Sequence, residues 1–233
     1  MKKTSAQVIF TFDDATATAI IDGLQPTSAS TLTILKESLD VSLETYGIKD
    51  IKASAMITHF IDDATSIPQV SILVLQKYES PVLACAVNEV LSSLAGEGMP
   101  TLIIPFVLEA SKLKLERNTS VVENIYGIQI GPQTDVTQVL ASRHEKAPPT
   151  MQIHHEPLAC VLQLVRALKI PAFILIGQIG QHKIATDDVE VICKIGETLA
   201  SASSLQFVKE KVTWNSTKTS KEQEKEPWRA LYG

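Results

Sequence analysis

The sequence predicts an α/β fold: a mixed, partly parallel sheet covered by helices on both faces, with a flexible C-terminal tail. Three observations carry this. First, Val70–Gln76, Thr101–Ile104 and Ala172–Ile176 are apolar runs of strand length without alternation. That is the pattern of strands buried on both faces. Second, the segments starting at Pro81, Pro157 and Asp187 place apolar residues three and four apart. Such stripes suit helices resting on a sheet. Third, the composition changes near Val208. Lys209–Glu226 reads KEKVTWNSTKTSKEQEKE, too little apolar surface to offset the entropy of ordering it. The expected division is a domain over residues 1–208 and a tail over 209–233.

The elements follow in order. Gln7–Phe12 (QVIFTF) is a β-rich first strand. Thr16–Leu24 reads as a helix ended near Gly23 and Pro26. Ser30–Tyr46 is ambiguous: Leu32, Leu35, Leu39 and Leu43 suit a helix face, yet Thr and Val are scattered through it. Ile51–Phe60 looks like a strand closed by Asp62-Asp63. Val70–Gln76 is the next strand. Ser80-Pro81 then reads as an N-cap with Pro at the first helical position, and Gly96 suits the C-cap. Pro105 interrupts the strand Pro100–Leu108, so a bend or departure from the sheet is expected there. Ser111–Pro149 is the loosest part, expected as loops or a lobe around Ile125–Ile130. Pro157 opens a helix reaching Leu168, Ile170–Ile176 is a strand, and Thr186 is expected to cap a last helix.

Composition bounds the function. The chain has 233 residues, 45% hydrophobic and 20% charged, which is ordinary globular usage. Its net charge of -5, without a Lys/Arg cluster in the body, argues against nucleic acid or an acidic membrane as partner. The apolar runs fall short of the ~20 residues a membrane span needs. Asp13 and Asp14 interrupt the N-terminal apolar run too early for a signal-peptide core. Cys85, Cys160 and Cys193 sit in helix-like segments and read as small buried apolar residues in a reducing compartment. The cytoplasm, with the nucleus also open, is the expected location.

Catalytic and metal patterns are thin. His154-His155-Glu156 places its histidines side by side, whereas a helical zinc site needs them four apart. Asp13, Asp14, Asp62 and Asp63 all follow strands and would suit a Mg²⁺ site if they met. Pairs of this kind more often end strands and cap the next element. Gly177-Gln178-Ile179-Gly180 follows a strand, but no P-loop pattern or GxSxG occurs. No cofactor is called for. A metal-dependent hydrolase on the four aspartates stays as the alternative reading.

The tail ends in Pro227-Trp228-Arg229-Ala230-Leu231-Tyr232-Gly233, where large apolar side chains reappear. Leu231 fills a small apolar hollow, Tyr232 offers a ring and one hydroxyl, and Gly233 brings a carboxylate. Trp228 stands beside them as an accessory anchor. This ending resembles the hydrophobic-Tyr-X terminus with which proteasome-binding proteins enter pockets of the 20S α-ring. A linker of about 20 residues spans roughly 25 Å, enough to reach a pocket beside a docked body.

Leu158–Leu199 (LACVLQLVRALKIPAFILIGQIGQHKIATDDVEVICKIGETL) resembles the C-terminal half of the proteasome assembly chaperone 1 family. The core of the likeness is helix, Leu168-Lys169-Ile170-Pro171-Ala172, apolar strand, loop and helix. Together with the earlier strand–Ser80-Pro81 helix–strand unit, a fainter match, and the Leu-Tyr-Gly ending, the likeness covers about half the chain. Gly233 departs from the larger residue common at the last place. The resemblance implies a non-enzymatic chaperone for 20S proteasome assembly. It would act on the α-ring as a heterodimer with a proteasome assembly chaperone 2-like subunit, with 20S α-subunits as the further partners. The terminal role carries over onto Leu231, Tyr232 and Gly233 only. A regulator of the mature proteasome with the same tail is a further alternative. Ser111–Pro149 is expected to form part of the proteasome-facing side.

Overall fold

A computed structural model describes residues 5–28, 30–95, 98–114, 125–179 and 185–214, and only the backbone of 185–187. The elements run β1 (Gln7–Phe12), α1 (Ala15–Gly23), β2 (Leu24–Gln25), β3 (Leu32–Ser42), β4 (Lys52–Asp62), β5 (Ile67–Leu75) and α2 (Val82–Leu94). Then come β6 (Thr101–Glu109), β7 (Leu113–Lys114), β8 (Ile125–Ile130), α3 (Asp135–Arg143), β9 (Glu145–Lys146) and β10 (Gln152–Ile153). The last are α4 (Glu156–Ala167), β11 (Ala172–Ile179), α5 (Ala185–Ser203) and β12 (Gln206–Phe207).

One eight-stranded sheet has the order β3-β4-β5-β1-β6-β11-β8-β9. Its centre, β5-β1-β6-β11, is parallel. β4 lies antiparallel to β5 and β3 antiparallel to β4. On the other side β8 is antiparallel to β11 and carries the short parallel β9. The three apolar runs therefore share one sheet, as their composition predicts.

Strand alternation divides the interior into two cores. Phe10, Leu73, Leu75, Ile104 and Ile174 face α2 and α4, joined by Leu83, Val87, Leu158 and Val161. Ile9, Ile72, Ile103, Phe173 and Leu175 face the other way, onto α1 and α5 through Ile20, Ile192, Ile195 and Leu199. Burying each such side chain contributes about 1.5–3 kcal/mol, so both faces need cover. Helices supply it on both sides. Past Val208, Val212 and Trp214 still pack against the second core.

Several local expectations change. Ser30–Tyr46 resolves to strand β3 because Leu39 and Val41 alternate inward toward the first core, ahead of fully buried Leu43. A period of two satisfies these contacts where the leucine spacing suggested a helix. Pro105 does not remove β6 from the sheet, since Leu175 stays opposite it. Thr101 N–H donates to Ala6 O at 2.9 Å and Leu102 N–H to Pro171 O at 2.8 Å. Odd residues of β6 thus point their donors at β1, and that pairing ends at Ile103. Pro105 falls where no donor is needed.

Pro81, not Ser80, is the N-cap of α2, and no side chain caps it; the Ser80 hydroxyl donates instead to Glu156. Part of the stretch expected as loops is regular: β8 joins the main sheet and α3 follows it. Thr134 caps α3, accepting from Thr137 N at 3.3 Å. α4 ends at Ala167, with Leu168 as its C-cap. α5 starts at Ala185, so Thr186 lies inside it. Cys85 and Cys160 are half-buried, and only Cys193 is fully buried; all three are free.

Candidate functional site

Trp228, Leu231, Tyr232 and Gly233 lie outside the described residues, so the terminal motif has no geometry here. Within them the chemistry-bearing residues separate into two places.

The first is the end of the sheet where α4 begins. Asp14 caps α1: its Oδ1 accepts from Ala17 N at 2.8 Å and from the Thr16 hydroxyl at 2.6 Å. His155 does the same for α4, its Nδ1 accepting from Leu158 N at 3.3 Å. The His155 ring sits edge-on to Phe106, with centroids 5.7 Å apart. Burial, reinforced by the cations Lys112 and Lys77, lowers its pKa to about 4. The imidazole is therefore neutral near pH 7, and the cap needs it so, because a protonated Nδ1 accepts nothing.

The four aspartates do not meet. Asp13 and Asp14 follow β1 at the carboxyl ends of the parallel strands. Asp62 closes β4, which runs the opposite way and sets Asp62 beside Ile67 at the start of β5. The two pairs thus lie at opposite ends of the strands, a strand length of ~20 Å apart. Asp62 holds its own turn, accepting from Ala64 N at 2.9 Å, and Asp63 accepts from the Thr33 hydroxyl. No group of three His, Cys, Asp or Glu among the described residues is placed to hold a metal. The alternative hydrolase reading has no shared site.

The second place is a cleft of about 760 Å³ beside β8. β8 gives Gly127 and Ile128 to one wall; α4 gives Ala159, Leu162 and Arg166 to the other. Lys146, Pro148, Pro149, Met151, Phe173 and His144 also line it. His144 is tied on both nitrogens, to Leu140 O at 3.0 Å and to Thr198 Oγ1 at 3.2 Å. A carbonyl only accepts, so Nδ1 carries a proton and the ring joins α3 to α5. The side chains that line the cleft include two cations and no carboxylate. An apolar group carrying negative charge suits such a lining. Sequence reasoning missed it, because Lys146 and Arg166 stand 20 apart in an unremarkable stretch and meet only where β9, paired to β8, and α4 line one cleft.

A family model described as a domain of unknown function, DUF7894, matches residues 1–233. The chain belongs to this family. No curated protein matches it. Among solved structures, a PAC2 family protein from Streptomyces avermitilis is 11% identical, over 97% of this chain and 98% of that one, with a TM-score of 0.50. PbaB from Pyrococcus furiosus, described as an archaeal proteasome activator, is 9% identical over 100% and 96%, with a TM-score of 0.52. A protein of unknown function from Corynebacterium glutamicum is 9% identical over 99% and 89%, with a TM-score of 0.53. At such identities the likeness is one of fold. The DUF7894 chain shares the PAC2-type architecture along nearly its whole length.

Proposed function

We propose that this DUF7894 protein is a non-enzymatic chaperone of 20S proteasome assembly, working in the cytoplasm. It pairs with a proteasome assembly chaperone 2-like sister and docks Leu231, Tyr232 and Gly233 into an α-subunit pocket, with Trp228 beside them. The reading is carried by one conjunction. A fold shared end to end with a PAC2 family protein and PbaB comes with a chain that finishes in Leu-Tyr-Gly. The capping and turn work of Asp14, Asp62 and Asp63 further supports a non-enzymatic role. The body supplies area and the tail a tethered contact. Tethering makes a weak three-residue contact useful, because the second binding event becomes intramolecular.

Capture of immature 20S particles by the intact chain tests this. Tyr232→Ala is expected to cost ~2 kcal/mol of binding, roughly thirtyfold, with the fold unchanged. Appending one residue after Gly233 keeps every side chain and moves only the carboxylate. Unchanged binding by that extended chain would end the terminal-plug reading. The second reading is a regulator of mature particles, favoured by the activator role of PbaB. Faster peptide cleavage by mature 20S particles on adding the chain would select it.

A further inference from the structure

We propose that β3 is a self-complementary edge through which two copies of this chain join their sheets around a two-fold axis at Ser38. The inference is independent of the proteasome reading. β3 is an end strand, 11 residues long, and among the described residues it pairs with β4 alone. A long uncovered edge is a template for another strand.

The backbone fixes which residues face outward. Asp63 N–H donates to Thr31 O at 3.2 Å, and Gln76 N–H to Ser54 O at 3.0 Å. With the register Lys36↔Thr58 and Ser38↔Met56, odd residues of β3 bond to β4. Ile34, Lys36, Ser38, Asp40 and Ser42 therefore turn their N–H and C=O groups to the open side.

Only certain two-fold registers then avoid conflict. An axis at Lys36 sets lysine against lysine, one at Glu37 sets glutamate against glutamate, and one at Asp40 sets aspartate against aspartate. An axis at Ser38 places Lys36 of each copy directly opposite Asp40 of the other, twice. It also pairs Leu35, 43% exposed, with Val41, and leaves small Ser38 on the axis facing itself. The overlap from Ile34 to Ser42 forms five hydrogen-bonded pairs, about ten bonds, the number a typical interface carries. The occupant that matches this charge pattern is the strand itself.

Sedimentation of the pure full chain tests it, with dimer expected at micromolar concentration. Lys36→Glu should weaken association about tenfold or more, and adding Asp40→Lys to it should restore the dimer. Ser38→Pro removes an outward donor and no internal ladder bond, so it should give a folded monomer, checked by circular dichroism. Ser38→Cys supplies the register test. Residues on the axis lie ~5.5 Å apart, within disulfide reach, and mild oxidation should link the two position-38 thiols, identified by mass spectrometry. A chain that stays monomeric, a dimer indifferent to the charge swap, or an extended peptide of another protein taking the edge in place of a second copy would each overturn the proposal.

Discussion

The two ends of the sheet are treated very differently. At one end lies β9, two residues long, both charged: Glu145 and Lys146. Behind it β8 is pinned to β11 and flanked by α3 and α4. At the other end lies β3, 11 residues long, with Ile34 and Leu35 both more than 40% exposed. Short, charged edges resist further pairing, and long open ones invite it. Among the described residues, one edge is therefore blunted and the other left without a second strand.

The largest effect expected is at the blunted end, and a pair of glycines exposes it. Gly131 follows β8 with φ +73°, and a Cβ there would sit 2.4 Å from Ile170 O. Gly47 lies in the β3–β4 connection with φ +79°, and a Cβ there would meet nothing. Gly131→Ala combines strain with a backbone clash and should cost about 3 kcal/mol or more. Gly47→Ala should cost only ~1 kcal/mol, the conformational penalty alone. Urea unfolding of both variants measures the difference. Equal losses would mean the two ends are not held with different tightness.

The next effect depends on pH. His155 has a folded pKa of about 4, below its unfolded value near 6.5. Between these values the unfolded chain binds the extra proton, so stability is complete at neutral pH and falls as pH drops from 6.5 toward 4. The loss should approach about 3 kcal/mol. His155→Asn keeps a capping acceptor and should flatten that slope. Hydrogen exchange should show α4 loosening before β3 and β4. A slope unchanged by His155→Asn would assign the acid response elsewhere.

Much of the centre was legible in the sequence, because a strand buried on both faces must be apolar throughout. Val70–Gln76, Thr101–Ile104 and Ala172–Ile176 admit few other roles. The edges were not. β3 carries leucines at spacings that fit either a helix or a half-exposed strand, and pairing with β4 decides between them. α3 has a weak apolar stripe, yet its Thr134–Thr137 box is local and could have been found. Departure from the sheet at Pro105 was a fair inference from composition. Which way each N–H points, and that β1 stops pairing at Ile103, are tertiary facts. The cleft is of the same kind, since β8 and α4 meet only through the sheet order.

The smallest effect expected, and the most diagnostic of the open edge, concerns Lys36→Ala. In an isolated chain Lys36 is exposed on β3 opposite Thr58. Removing it should change stability by less than about 0.5 kcal/mol, as for most surface substitutions. Paired copies alter that arithmetic. Association stabilises the folded state by mass action, so the unfolding midpoint of the native chain should rise with protein concentration. Lys36→Ala removes both cross-axis ion pairs, so its midpoint should rise less. At low concentration the two chains should unfold together, and they should separate as concentration increases. Two midpoints that stay parallel at every concentration would show that Lys36 takes no part in joining copies, and the edge at β3 would be open only to solvent.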